Sequence, residues 1–393
     1  ATALLALSAC TKVTPVEEPD QAITFNVVNH ATATKADGDE GESSSNQTYG
    51  EYNTAVPFGT FAYMNVYDTP AWDNSGTTNN VYMNNVKVKY TGETSNTWEP
   101  DGNYYWPKKG YLSFASYSPY MTEAPSYTKE VINENTTTGG FKFENYTIKD
   151  TRTNATEVSI LTEDLMVADV AKDLRPDSQN YTTSYYYRTG VPTLFRHLLT
   201  NLQFKFQRAP YDNVNVVEST SEITVTKVEL IKFVNKRTYN NGAWADTDGE
   251  ESTADYLIFN GSQKIANEYT LAGEGETADD YGYKLESDGR VLVNGATKLG
   301  ADNIIVMPQA LAAQKQVLKI TYNIKTFFKG QESAVEENGV VTEVEFVSGS
   351  VTEFGKNQKI TYTITIYPYA QQKILFDPAV ENWTESTGTI TVE

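Results

Sequence analysis

The chain has 393 residues, with 31 lysines and arginines against 51 aspartates and glutamates, so its formal net charge is −20. This acidic balance, without any Lys/Arg-rich segment, excludes nucleic acid as a partner and disfavours an anionic membrane surface, because polyanions are bound by clustered cations. Hydrophobic residues make up 39% of the chain and include 27 tyrosines and 16 phenylalanines, which excludes disorder throughout and indicates a packed core.

The N-terminal segment, residues 1–10, is a short apolar run that we interpret as the end of a truncated signal peptide. It closes with the pattern of a bacterial lipobox, Leu7-Ser8-Ala9-Cys10. Cys10 is the only cysteine, which excludes an intramolecular disulfide and a multi-cysteine metal site. We therefore predict a lipid anchor on Cys10 in the precursor and a solvated tether over residues 11–22.

Beyond the tether, apolar and polar residues alternate in most segments. The first such segment carries Ile23, Phe25 and Val27 on one face, and clear later examples are residues 86–90, 318–324 and 360–366. Alternation is typical of half-buried antiparallel strands. The sequence thus predicts an all-β sandwich fold.

Turn residues separate the predicted strands, among them Asn240-Asn241-Gly242 and Glu337-Asn338-Gly339. One short helix is predicted at residues 308–314, where a proline begins a stretch rich in alanine. The polar segment 173–183 interrupts the strand pattern, so we predict a domain boundary near residue 190. An N-terminal β-sandwich domain would span residues 23–190, and a C-terminal one residues 191–393.

Few residues offer chemistry. His30 and His197 lie far apart in the sequence, and both are interpreted as structural. No serine-hydrolase, zinc-protease or cysteine-nucleophile motif is present. The acidic segment 246–251 lacks the ligand spacing of a calcium loop and is interpreted as a solvated hairpin tip, with calcium binding left open. The sequence predicts no enzymatic activity, no catalytic or metal-binding residue and no cofactor.

The most distinctive segment is aromatic and includes Trp98, Tyr105 and Trp106. Clustered exposed rings are typical of platforms on which sugars stack. The alternative is packing in the core and at strand edges, across a hairpin at Asp101-Gly102, and we favour this interpretation. Exposed tryptophans would support the first alternative.

A series of segments, taken in chain order, carries a family resemblance. They are the early Ile-Thr-Phe strand with Ala33-Thr34-Lys35-Ala36, then Tyr104-Tyr105-Trp106-Pro107, Leu112-Ser113-Phe114-Ala115-Ser116-Tyr117-Ser118-Pro119, Asp164-Leu165-Met166-Val167-Ala168, Phe195-Arg196-His197-Leu198-Leu199-Thr200-Asn201-Leu202, Val306-Met307-Pro308-Gln309, Ile360-Thr361-Tyr362-Thr363-Ile364 and Val380-Glu381-Asn382-Trp383. In this order, which spans nearly the whole chain, they resemble the fimbrillin-like lipoproteins of Bacteroidales.

The resemblance implies a type V pilin with two transthyretin-like, Greek-key β-sandwich domains in tandem. It implies export as an outer-membrane lipoprotein and assembly into surface fimbriae used in adhesion. A trypsin-like maturation protease would cut between Lys35 and Ala36 and so release the first strand. The family's better-studied members have arginine at this position, so a protease specific for arginine would not process this chain.

The resemblance also implies the partner. The groove left by the first strand would be filled by the C-terminal strand of another copy or of a related pilin subunit, here residues 389–393 with Ile390 and Val392. Because burying each apolar residue of the first strand would stabilise the fold by about 1.5–3 kcal/mol, an emptied groove needs a replacement. The alternatives are that residues 389–393 complete their own domain's sheet, and that the protein is a monomeric surface glycan-binding lipoprotein. The adhesion ligand stays unknown.

Overall fold

The described part of the chain is built from strands and loops, without a helix. The computed structural model describes residues 21–27, 52–66, 72, 80–92, 97–133, 136–175, 190–208, 219–240, 242–245, 252–265, 269–270, 291–292, 297–312, 315–328, 333–347, 351–367 and 374–382. Within these ranges, no helix is long and apolar enough to cross a membrane. Several residues singled out above lie outside them: Cys10, His30, Lys35, Ala36, Ile390 and Val392.

The strands vary in length from two to 22 residues. The first twelve are β1 (Phe25–Val27), β2 (Phe58–Asn65), β3 (Asn80–Tyr90), β4 (Trp98–Pro100), β5 (Tyr111–Ser118), β6 (Ser126–Asn133), β7 (Thr136–Thr147), β8 (Met166–Ala168), β9 (Ala171–Leu174), β10 (Val191–Thr193), β11 (Phe195–His197) and β12 (Thr200–Arg208). The others are β13 (Ser219–Asn240), β14 (Ala243–Ala245), β15 (Ser252–Ile265), β16 (Tyr269–Thr270), β17 (Val291–Leu292), β18 (Thr297–Val306), β19 (Gln309–Ala310), β20 (Val317–Phe328), β21 (Val335–Glu345), β22 (Glu353–Phe354), β23 (Gln358–Ile366) and β24 (Ile374–Asn382).

A nine-stranded sheet contains the first strand, in the order β10-β1-β4-β3-β2-β5-β8-β11 with β9 beside β5. In a flat sheet, β1 and β5 would lie about 19 Å apart, because they are four positions apart at about 4.8 Å each. Yet the ring centroids of Phe25 and Phe114 are 5.5 Å apart. The two end strands, β10 and β11, are also separated in the chain by Leu194 alone. The sheet therefore curls around a core of its own.

Two further sheets face each other across the larger core. One has the order β21-β20-β13-β7-β6, with β14 and β15 also paired to β13, and the other has the order β18-β12-β23-β24. Phe346, which follows β21, contacts Phe233 of β13 at 5.2 Å and Phe204 of β12 at 6.2 Å between ring centroids. Rings from both sheets thus share one interior, which is the arrangement of a β-sandwich.

The predicted all-β fold is confirmed, and the alternating segments named above lie in β1, β3, β20 and β23, except that Ile23 precedes β1 by two residues. The predicted helix at residues 308–314 is wrong in its described part. Gln309 and Ala310 form a short strand paired with Glu353 and Phe354. The buried Gln309 amide accepts a hydrogen bond from the Val234 N–H at 3.0 Å, so tertiary contacts override the local helix propensity.

The two Asn-Gly turns have different outcomes. Residues 241–242 connect Asn240 to Ala243 in a two-residue hairpin, as predicted. Gly339 lies inside β21 at a shift of register, where its N–H donates a hydrogen bond to Asn323 Oδ1 at 2.8 Å. The turn predicted there is therefore a β-bulge, which needs the same positive φ as a turn does.

Among the described strands, pairing crosses residue 190 in three places. β1 pairs with β10, β8 pairs with β11, and β7 pairs with β13 through Thr147 and Lys236 at one end of their ladder. The division into domains at residues 23–190 and 191–393 stays a prediction.

Candidate functional site: the groove of the first strand

The first strand is held on both sides. It runs parallel to β10 and antiparallel to β4, with Phe25 opposite Val191 and Trp98. The Val191 N–H donates to the Thr24 carbonyl at 2.7 Å, and the Ile23 N–H donates to the Tyr104 carbonyl at 2.8 Å. The first strand therefore fills a slot between two segments that are distant from it in the sequence.

The apolar face predicted for this strand is buried. Ile23, Phe25 and Val27 are 1%, 0% and 6% exposed. At about 1.5–3 kcal/mol each, their burial contributes on the order of 5–9 kcal/mol as an upper estimate. Removing the strand would expose a long apolar groove and two rows of backbone hydrogen-bonding groups.

The Phe25 side chain lies in a pocket of aromatic rings. Its ring meets Phe58 edge-on at 5.6 Å and Phe114 at 5.5 Å, and Trp98 is its cross-strand neighbour. We call the surface formed by Phe58, Phe114 and Trp98 the Phe25 pocket. Edge-to-face contacts of this kind add to the stabilisation from buried area.

Gly190 fixes how closely β10 approaches the first strand. It has φ of +87°, a region that favours glycine. A Cβ atom there would lie 2.8 Å from the Phe25 carbonyl carbon and 3.0 Å from the Thr24 carbonyl oxygen. Only a residue without a side chain lets the two backbones come this close. Sequence reasoning missed Gly190, because no local signal marks its contact with a strand more than a hundred residues earlier.

Tyr52 closes the groove behind the Phe25 pocket. Its ring stacks on Phe195 at 5.0 Å and meets Trp98 edge-on at 5.2 Å. Its hydroxyl shares a hydrogen bond with the Ser118 hydroxyl at 2.7 Å. Burial raises the pKa of the Tyr52 hydroxyl well above its usual range, although the hydrogen bond with Ser118 lowers it, so this group stays neutral.

The aromatic segment that follows Tyr90 lines the same groove. Trp98 is 1% and Trp106 is 8% exposed, which confirms core packing for these two tryptophans, whereas Tyr105 is 41% exposed. The hairpin expected at residues 101–102 does not form. Instead, Trp98 pairs with Phe25 and Tyr105 with Ala22, so the segment continues alongside the first strand.

His197 has a hydrogen-bond partner inside the fold, and its structural role stays a prediction. Its Nδ1 lies 2.5 Å from a carboxylate oxygen of Asp164, and both side chains are largely buried. The Leu198 N–H donates to the Leu165 carbonyl at 2.8 Å, which joins the same two segments. The pair ties β11 to the loop before β8.

Within the described ranges, no group of three or more His, Cys, Asp or Glu side chains could hold a metal ion. The acidic segment 246–251 lies outside those ranges. The structure thus brings together the predicted first-strand residues, whereas lipidation at Cys10, cleavage at Lys35 and the donor residues Ile390 and Val392 stay predictions.

The fold and this groove define an all-β protein whose first strand is enclosed between strands from distant parts of the chain. A model of the family described as fimbrillin-like matches residues 64–383. The chain therefore belongs to the fimbrillin-like family. Membership supports a structural role for this protein in fimbriae and in adhesion at the cell surface. It also supports association of the protein with other fimbrial subunits.

Solved structures give a weaker likeness. A fimbrial protein from Bacteroides vulgatus is 22% identical, with 83% of this chain and 93% of that chain covered and a TM-score of 0.48. The tip fimbrial protein Mfa3 from Porphyromonas gingivalis, with a C-terminal truncation, is 8% identical, with 93% and 100% covered and a TM-score of 0.34. At these values neither structure adds to the family assignment. A comparison with curated proteins found no match.

Proposed function

We propose that the protein is a structural pilin that polymerises by replacement of its first strand. The observation that carries this proposal is the burial of the apolar face of an N-terminal strand that is held between two partners, β10 and β4. In the sequence, the strand precedes the segment with the proposed cleavage position, Lys35. Its loss would open a groove that only another strand of similar pattern can fill.

Cleavage between Lys35 and Ala36 is the proposed trigger. Lys35 is the only lysine or arginine between Lys12 and Lys87, so a trypsin-like protease has a single position at which to separate the first strand from β2. The following segment is acidic and rich in glycine and serine, a composition that enters protease clefts readily. Before the cut, the covalent link keeps the first strand at a high local concentration. After it, the strand can leave and be replaced.

The proposed donor is the C-terminal segment 389–393 of a neighbouring subunit. Ile390 and Val392 alternate with threonines, as the apolar residues of the first strand alternate with polar ones. β24 ends at Asn382, and in the described part of its sheet it is the outermost strand after β23. A segment that follows an outer strand can leave its own sheet without interrupting an internal connection.

Truncation tests the donor role. A protein ending at Trp383 should fold and be cleaved but should give no ladder of multimers when unboiled surface material is run on a denaturing gel. Changing Ile390 and Val392 to aspartate should have the same effect, because unpaired charges would be buried in the groove. The matched control changes Thr389 and Thr391, on the opposite face, to aspartate and should still assemble.

Two results would contradict the proposal. A full ladder from the truncated protein would mean that the donor strand lies elsewhere. Failure of the truncated protein to fold would mean that residues 389–393 complete their own domain's sheet.

We also propose that Cys10 carries the lipid of the precursor, which would anchor the unassembled subunit at the outer membrane.

A further inference from the structure

On the buried face of the first strand, the largest side chain lies between two smaller ones. Its central residue, Phe25, is aromatic, and its neighbours on the same face, Ile23 and Val27, are branched and aliphatic. The central position is also the most enclosed, with no exposed surface. The groove therefore holds its largest side chain at its middle.

The walls of the Phe25 pocket are themselves packed from behind. The Phe58 ring touches Phe195 at 5.3 Å, and the Phe114 ring touches Trp106 at 5.7 Å. Both wall residues also lie in strand ladders, since Phe58 is paired with Val88 of β3 and Phe114 is paired with Ala62 of β2. Side chains held in this way relax little, so a residue smaller than phenylalanine would leave a cavity.

The chain's own C-terminal segment does not match this pocket. In residues 388–392, every second position is Gly388, Ile390 or Val392, and threonines lie between them. Aligned on the three inward positions of the first strand, Ile390 falls at the centre in either direction of insertion. Isoleucine is smaller than phenylalanine, and Gly388 offers no side chain at an outer position.

We propose that the Phe25 pocket selects the donor strand by the size of its central residue. A strand with an aromatic residue between two branched aliphatic residues fits the groove better than the C-terminal strand of this chain does. The better partner is thus a different subunit whose donor strand has this pattern. This inference rests on the proposed strand replacement.

The pocket can be tested with synthetic strands. A site for a specific protease is inserted between residues 36 and 46 of the full chain, the protein is cut, and uptake of fluorescent peptides is followed by anisotropy. The peptides are residues 19–29, residues 384–393, and variants of the latter. Ile390→Phe should bind about tenfold more tightly than the parent peptide. Adding Gly388→Ile should bring affinity close to that of the first-strand peptide.

Two control peptides separate the effect of the aromatic residue's position from the effect of its size. Thr391→Phe adds the same ring on the outward face and should give no gain over the parent peptide. In the first-strand peptide, Phe25→Ile should weaken binding about tenfold. Equal affinities for the parent peptide and the Ile390→Phe peptide overturn the inference while the groove itself stands. If the first-strand peptide also fails to bind, the strand-replacement proposal is refuted as well.

Discussion

Substituting Gly190 by alanine tests whether the close approach of β10 holds the first strand in place. Gly190 has φ of +87°, and an added Cβ atom would come within 2.8 Å of the Phe25 backbone. Gly339 is the matched control, because its φ of +69° lies in the same region but no atom lies within 4 Å of an added Cβ. The difference between the two variants therefore isolates the contact with the first strand.

The expected cost follows from two contributions. Placing alanine at positive φ costs about 1 kcal/mol relative to glycine, and this applies to both variants. At Gly190 the contact with backbone atoms of the first strand forces one segment to move, which adds about 1–3 kcal/mol. We expect a local loss of about 2–4 kcal/mol for Gly190→Ala at the first strand, and none at this strand for Gly339→Ala.

Hydrogen exchange measured by mass spectrometry gives the local readout, and the amide of Ile23 reports the first strand because it donates to the Tyr104 carbonyl. Its exchange should be at least about 30-fold faster in Gly190→Ala than in the unaltered protein, which corresponds to about 2 kcal/mol. In Gly339→Ala it should be unchanged. Equal protection of Ile23 in the two variants would refute the role assigned to Gly190.

Three further predictions concern maturation and pH. Lys35→Ala should block release of the first strand and assembly, whereas the control Lys12→Ala should not. N-terminal sequencing of the assembled, unaltered protein should begin at Ala36. Assembly of the Lys35→Ala variant into a polymer would contradict cleavage at Lys35 as the trigger. Cys10→Ala should abolish incorporation of labelled fatty acid, and undiminished labelling would contradict the lipid anchor. Burial raises the pKa of the Tyr117 hydroxyl to about 12, although the Met121 N–H, which donates to the Tyr117 oxygen at 3.1 Å, lowers it. Because an unfolded tyrosine loses its proton near pH 10, this stabilisation is complete below about pH 10 and is lost between about pH 10 and 12. Urea unfolding across that range should show a shallower decline in Tyr117→Phe, and an identical decline would contradict the assignment.

Alternation along the chain was sufficient to predict β1, β3, β20 and β23. Residues such as Ile23, Phe25 and Val27 lie on one face of any extended chain, because successive side chains point to opposite sides, and this holds whatever the strand pairs with. For the same reason, the buried face of the first strand was predictable. Its aromatic centre was also visible in the sequence, but not its consequence for partner choice.

Short sequence patterns that are compatible with two local structures did not decide which structure forms. The glycine of an Asn-Gly pair has positive φ here, and the chain uses it beside the Asn240–Ala243 pair of a hairpin at Gly242 and in a bulge at Gly339. Likewise, the stretch around Gln309 has helix-favouring residues, yet its amide is needed by the Val234 N–H. Which outcome occurs depends on neighbours that are remote in the sequence.

The groove itself is a product of tertiary structure. Sequence alone determined an acidic, all-β chain with an amphipathic first strand and a single lipidation candidate. That this strand lies between β10 and β4, with Gly190 against its backbone and Phe114 against its central ring, was decided by the curling of the nine-stranded sheet. Such contacts depend on loop closure over long separations and on twist accumulated across many strands, and no local pattern encodes either.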